Sequence, residues 1–162
     1  MRAETMMKEY KTMKKELTIL QFQLGQFKGV SEEDMILSMQ LSHPDGDERV
    51  QTSTLSDKTA KVAMNYREIM EKQNDEWFNF LWDRYQRISG EIAFFEHIVS
   101  ELDGVLPGII MDLLDDDITW DCMMSKYNVS HAMIGKYRKT ALQELNKQYE
   151  LRDLQTEAYI LS

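Results

Sequence analysis

Apolar residues recur along the chain in two long runs whose spacing alternates between four and three positions. Spacing of this kind places the apolar side chains along one narrow line of an α-helix, as in the seam of a coiled coil. We therefore predict one helix over about residues 4–27 and a very long helix over about residues 57–102. The first seam consists of Met6, Tyr10, Met13, Leu17, Leu20, Leu24 and Phe27, and the second seam of Leu81, Tyr85, Ile88, Ile92, Phe95, Val99 and Leu102.

Polar and turn-forming residues separate these helices from their neighbours. Residues 31–34 read Ser-Glu-Glu-Asp, which is typical of a helix start and predicts a short helix to about residue 41. Glycine and proline pairs within residues 103–108 predict a hinge before a short apolar helix over residues 109–114. The predicted organisation is a coiled-coil-like helix with a short helix (1–41), a polar linker (42–56), a long central helix (57–104) and a C-terminal domain (105–162).

The stretch from residue 118 to residue 145 predicts two short helices joined by a tight turn. Thr119 is a good N-cap for a helix from Trp120 to about Tyr127, and Ser130 is a good N-cap for a second helix from His131 to about Tyr149. Between them, Asn128 tolerates the left-handed conformation in which many helices end. Helix, turn and helix in this order predict a helix-turn-helix, a unit that can place its second helix in the DNA major groove.

The second of these helices has two unlike faces. One face is apolar and is predicted to pack on the first helix, while the other is small and polar near its N-terminus and basic one turn later. A recognition helix needs this order, because its first residues approach base edges and the cations behind them reach phosphates. The alternative is an ordinary helical hairpin with a solvated outer face. The predicted base-facing residues are Ser130, His131, Ala132 and Gly135, and the predicted phosphate contacts are Thr119, Lys136, Arg138 and Lys139.

The same stretch resembles a known family. Thr-Trp-Asp at 119–121, Met-Met at 123–124, Tyr-Asn-Val-Ser at 127–130 and Tyr-Arg-Lys-Thr-Ala-Leu at 137–142 are similar to region 4 of the sigma-70 class, in the form found in phage and prophage regulators. Residues 48–64 are similar to the linker and helix start of RinA/ArpU-like late-transcription regulators of phages. The resemblance implies sequence-specific DNA binding, control of phage or prophage transcription, and RNA polymerase as a partner.

Charge is unevenly distributed in the 162 residues. The formal net charge is −9, from 19 basic and 28 acidic residues. Between residues 119 and 153, however, six Lys or Arg stand against four acids, a local balance of +2, so the rest of the chain carries −11. Because phosphate affinity comes from cations, only this C-terminal part is suited to bind DNA. A weakly basic head on an acidic body fits a DNA reader whose body is kept away from the duplex.

The sequence contains no group of residues that is typical of a catalytic site or a metal site. The single cysteine, Cys122, excludes an intrachain disulfide, and the three histidines are far apart. Acidic clusters at 45–47 and 115–117 lack the pattern of a calcium loop and are expected to be solvated. No phosphate-binding loop or nucleophile motif is present. We therefore expect a protein that is not an enzyme and has no metal or cofactor. With no signal core and no apolar run of membrane-spanning length, we expect the protein in the cytoplasm and not on a membrane. The resemblance to phage regulators implies that this is the cytoplasm of a bacterial or phage-infected cell.

The two apolar seams need partners. They could pack against each other within one chain as an antiparallel hairpin, or against copies in another chain. Because a reader of two DNA half-sites gains from two-fold symmetry, we favour a homo-oligomer through the seams. The predicted fold class is all-α, with long coiled-coil-like helices and a C-terminal helix-turn-helix. The predicted function is DNA-binding transcriptional regulation with double-stranded DNA as partner. The alternative is an acidic helical adaptor that binds RNA polymerase or another regulator.

Overall fold

Five helices make up the part of the chain that the structure describes. The structure is a computed structural model, and it describes residues 2–27 and 55–162, with side chains in the second range described for residue 68 and from residue 70 onward. No strand occurs in these ranges, so the fold is all-α, as predicted. The short helix predicted over residues 31–41 and most of the linker predicted over 42–56 lie outside the described residues. The helices are α1 (Arg2–Gly25), α2 (Leu55–Ser100), α3 (Leu106–Leu114), α4 (Trp120–Tyr127) and α5 (His131–Ile160).

The long helices differ from their predicted bounds by about two residues at each end. α1 begins and ends two residues before the predicted range, and so does α2. α2 runs as one element of 46 residues, although Gly90 lies within it. A glycine in a helix interior costs about 1 kcal/mol relative to alanine, which a helix buried along one face tolerates. None of the helices in the described ranges combines the length and the apolar character needed to cross a lipid bilayer.

The structure divides into two compact units. Among the described residues, the smaller unit comprises 19–27 and 55–86, and in it the end of α1 lies beside α2. The ring centroids of Phe27 and Phe78 are 5.2 Å apart in an edge-to-face arrangement, and the Gln21 amide nitrogen lies 3.5 Å from the Tyr85 hydroxyl oxygen. Gln21 is beside Tyr85, whereas Phe27, just after the end of α1, is beside the earlier residue Phe78, so the two helices run antiparallel in this unit.

The larger unit comprises residues 1–18 and 87–162. In it α1 again runs beside α2, with the rings of Tyr10 and Phe95 5.5 Å apart. The Tyr10 hydroxyl donates a hydrogen bond to the carboxylate of Glu96, and the Lys14 ammonium lies 3.0 Å from the same group. α5 completes this unit, because Tyr149 packs edge-to-face on Phe94 of α2 at 5.3 Å.

Both predicted seams are covered within one chain. Every member of the two seams is buried or half-buried, and in the larger unit Tyr10 of the first seam packs on Phe95 of the second. The intrachain hairpin therefore accounts for the burial of both seams. The homo-oligomer through the seams remains a prediction.

Candidate nucleic-acid interface

The turn between α4 and α5 is built from local capping bonds. Thr119 is extended, and its hydroxyl accepts a hydrogen bond of 3.2 Å from the backbone nitrogen of Cys122. Ser130 does the same for α5, with its hydroxyl 3.3 Å from the nitrogen of Met133. Asn128 lies in the left-handed region at φ 52° and ψ 50° and ends α4. Both helices therefore begin at the predicted residues, and α4 also ends where the sequence predicts.

A small core fixes how α3, α4 and α5 pack. Ile109 of α3, Met123 of α4 and Ile134 of α5 are fully buried and form one cluster. Since each of these side chains comes from a different helix, the cluster holds the first turns of α5 in a set orientation. Partly buried residues that pack around it are Leu113, Ile118, Trp120, Met124, Tyr127, Val129 and Tyr137.

A buried carboxylate braces α3 against α4. Asp112 is only 7% exposed, and one of its oxygens accepts hydrogen bonds from the Tyr127 hydroxyl at 2.6 Å and the Lys126 ammonium at 2.8 Å. Burial raises the pKa of Asp112, but these two hydrogen bonds outweigh it, so the pKa lies below its usual value. Gly108 leaves room for the Tyr127 hydroxyl, because a Cβ atom at position 108 would lie 2.7 Å from it. We define Asp112, Lys126 and Tyr127 as the α3–α4 brace.

The first turns of α5 present an open face. His131, Ala132, Lys136 and Lys139 are exposed, and Gly135 is half-buried with no atom within 4 Å of where its Cβ would stand. Neither lysine forms an ion pair within the described ranges 2–27 and 55–162. We call these five residues the reading face. It contains three of the four predicted base-facing residues and two of the four predicted phosphate contacts, and the fourth base-facing residue, Ser130, is exposed just before it.

Arg138 is placed apart from the reading face. It is half-buried, and its guanidinium nitrogen lies 3.3 Å from a carboxylate oxygen of Glu4 in α1. A phosphate would have to compete with this carboxylate, so the structure assigns Arg138 an anchoring contact between α5 and α1. Thr119, the remaining predicted phosphate contact, is exposed at the start of α4, with its hydroxyl oxygen used as the helix cap.

His131 is held at the start of α5 by an aromatic neighbour. Its ring centroid lies 4.5 Å from that of Trp120, with the planes tilted by 35°. Trp120 is half-buried against the core cluster, so it positions the exposed imidazole at the edge of the reading face. In the sequence, Trp120 is recognised only as the first residue of the predicted helix over residues 120–127. This pairing could not be derived from spacing, because the two residues belong to different helices.

The acidic triplet at residues 115–117 lies in the loop between α3 and α4. Asp116 forms an ion pair with Lys11 of α1, and a carboxylate oxygen of Asp115 accepts a hydrogen bond of 3.0 Å from the backbone nitrogen of Asp117. All three are exposed. In the part of the chain that the structure describes, no group of histidine, cysteine and acidic residues is arranged to hold a metal ion.

Comparison with known proteins yields no match, since no family model fits the chain and no curated protein or solved structure is similar to it. The resemblance to phage regulators of the RinA/ArpU type therefore rests on the residues quoted above, and it stays a prediction.

Proposed function

We propose that the protein is a sequence-specific DNA-binding transcriptional regulator of phage or prophage type that contacts double-stranded DNA through the first turns of α5. The observation that carries the proposal is the reading face. It combines small exposed residues with two lysines that have no ion-pair partner in residues 2–27 and 55–162, on a helix held by a buried cluster of three side chains.

The chemistry of the reading face suits the major groove. An α-helix fits into this groove, where each base pair presents its own pattern of donors and acceptors. Ser130 and His131 supply polar groups at the end of α5 that would approach base edges, and Ala132 supplies a methyl group for apolar contact. Lys136 and Lys139 follow one and two turns later, at the distance where a helix in the groove passes the phosphates.

Gly135 supports a close approach of the duplex. A glycine in a helix interior costs about 1 kcal/mol relative to alanine. Packing within the protein does not require it, since the space beside its Cα is open. The glycine at position 135 is explained if another molecule approaches the helix so closely there that no side chain would fit.

The acidic remainder of the chain limits where DNA can bind. Net charge outside residues 119–153 is −11, so a duplex is repelled from most of the protein and left with the basic C-terminal part. In this proposal the protein acts in the cytoplasm, its acidic helices do not contact the duplex, and RNA polymerase is a further partner.

The proposal is tested with DNA fragments selected from a random pool by the purified protein. The variant Lys136→Glu with Lys139→Glu should lose retention of these fragments while its helical content, measured by circular dichroism, stays unchanged. Lys15→Glu with Lys72→Glu is the matched control, because these exposed lysines of α1 and α2 undergo the same charge change and are not members of the reading face. Wild-type binding should fall steeply with added salt. Equal retention by the wild type and the Lys136/Lys139 variant would refute the proposal.

A second candidate function is an acidic helical adaptor that binds RNA polymerase or another regulator. It is favoured by the net charge of −9 and by the exposed acids at residues 115–117. Purified protein that recovers a polymerase subunit but enriches no DNA from the random pool would support the adaptor and exclude the DNA reader.

A further inference from the structure

The distal part of α5 carries an apolar stripe that nothing in the larger unit covers. Leu151 is 55% exposed, Leu154 is 60% exposed and Leu161, the C-cap residue, is 86% exposed. Ala158 is exposed as well. The four positions are separated by three, four and three residues, so they lie along one line of the helix. We call Leu151, Leu154, Ala158 and Leu161 the distal stripe.

The distal stripe lies on the side of α5 opposite to its packed face. At about 100° per residue, Leu151 and Leu154 project about 120° or more away from the buried Leu145 and Tyr149. The packed side of the same turns is held by charges, since Arg152 lies 3.0 Å from Glu91 of α2. The distal stripe is therefore not a frayed continuation of the bundle core, but a separate apolar surface.

The spacing of the stripe identifies the kind of occupant. Steps of three, four and three are those of the a and d positions of a coiled coil, which receive the side chains of another helix. A membrane surface fits poorly, because helices that lie on membranes have Lys and Arg beside their apolar face. From residue 151 to residue 162 the sequence has two acids and one cation, Arg152, which forms an ion pair with Glu91 of α2.

The residues that flank the stripe favour a second copy in parallel orientation. Glu150 and Glu157 lie on one side of the stripe, and Gln148 and Gln155 lie on the other. In a parallel pair, each flank faces the opposite flank of the partner helix, so the Glu150 carboxylate can accept a hydrogen bond from a Gln155 amide. An antiparallel pair would instead place glutamates against glutamates, which repel.

We propose that the distal stripe forms a parallel two-helix contact with the distal stripe of a second copy of this chain. Four positions bury less surface than the about 1,200 Å² of a standard stable interface, so the contact is weak in free solution. It becomes strong on DNA if two reading faces bind neighbouring half-sites, because the second contact is then intramolecular. Only this last step rests on the proposed function.

The first experiment measures the molar mass of the protein without DNA by sedimentation equilibrium over a range of concentrations. The wild type should shift from monomer to dimer as concentration rises. Leu154→Glu should raise the dissociation constant of the dimer at least tenfold, because it places two carboxylates in the contact between the two distal stripes. Thr156→Glu is the matched control, since it adds the same charge to an exposed position of the same helix away from the stripe. A wild type that stays monomeric to about 1 mM, the range of the weakest specific contacts, overturns the proposal.

A second experiment tests the register and does not depend on the glutamate variant folding. In a Cys122→Ser background, Leu154→Cys should form a disulfide with its own copy in air-saturated buffer, because equivalent d positions meet in a parallel pair. Thr156→Cys should not. Equal crosslinking of both variants, or crosslinking of Leu154→Cys only to a different polypeptide added from a lysate, would exclude the second copy.

The two proposals fail separately. A dimer that enriches no DNA refutes the DNA reader and leaves the distal stripe intact. A monomer that retains selected DNA through single half-sites refutes the stripe and leaves the DNA reader intact.

Discussion

Replacing Gly135 by alanine separates the stability of α5 from its proposed contact with DNA. In the free protein the new methyl group would meet no atom within 4 Å, so it causes no clash. Alanine is favoured over glycine in a helix interior by about 1 kcal/mol. The variant should therefore be more stable than the wild type, with a melting temperature raised by roughly 2–4 °C for a chain of this size.

On DNA the same methyl group should be unfavourable. If the duplex approaches the backbone at Gly135, the added atom overpacks the contact, which typically costs about 1–3 kcal/mol. Because about 1.4 kcal/mol corresponds to tenfold in affinity, we expect binding to selected fragments to weaken by roughly 5- to 150-fold. The assay is fluorescence anisotropy with a labelled fragment at fixed salt, beside thermal melts of the same samples.

Gly90 of α2 provides the matched control. It also lies in a helix interior and has open space beside its Cα, but it is far along the sequence from the reading face. Gly90→Ala should raise the melting temperature by a similar amount and leave DNA affinity unchanged. A Gly135→Ala variant that gains stability and binds DNA as tightly as the wild type would refute a close approach of the duplex at Gly135. A loss of stability would instead show that the account of packing at Gly135 is wrong.

Three further predictions concern buried polar groups. Tyr127→Phe removes a 2.6 Å hydrogen bond to Asp112 and should lower the free energy of unfolding by about 1–2 kcal/mol in urea titrations. Because the pKa of Asp112 is lowered, its ionised carboxylate stabilises the fold at pH values above the ordinary pKa of about 4, and this stabilisation is lost as pH falls through the lowered pKa. Asp112→Asn should therefore reduce the loss of folding stability at acid pH. Burial, reinforced by the nearby Glu91, raises the pKa of Tyr149 to about 12, so stability should fall as pH rises from about 10 towards that value. Tyr149→Phe should remove this loss of stability at alkaline pH without lowering stability at neutral pH, because the Tyr149 hydroxyl has no hydrogen-bond partner among the described residues. A variant that loses stability at alkaline pH as the wild type does would show that Tyr149 is not the cause.

Local signals predicted the helix boundaries around the reading face. Thr119, Asn128 and Ser130 act on backbone groups within five residues of themselves, so their effect can be read from neighbouring sequence. The same holds for the long helices, whose apolar spacing persists over many turns. The predicted second helix ends near Tyr149, with the tail as a C-terminal extension, and in the structure α5 continues through this extension to Ile160. The buried face of α5 stops at Tyr149, but no residue of the tail breaks a helix.

Contacts between distant residues could not be predicted in this way. Arg138 and Glu4 are 134 positions apart, and only the folded arrangement of α1 and α5 shows that they meet. The α3–α4 brace was missed for a related reason, although Asp112 gave a usable signal as a lone acid within the apolar run at residues 109–114. A carboxylate in such a run must find donors elsewhere in the fold, but the sequence does not say which ones.

One continuous helix connects the reading face to the distal stripe. With 30 residues at 1.5 Å each, α5 is about 45 Å long, and the two surfaces keep a constant angular phase about its axis. Inserting a single residue between Tyr149 and Leu151 would turn the stripe by about 100° relative to the reading face, whereas seven residues would bring it back to within about 20°. The number of residues between the two surfaces of α5 would thus set the direction in which a second copy, bound through the distal stripe, presents its own reading face.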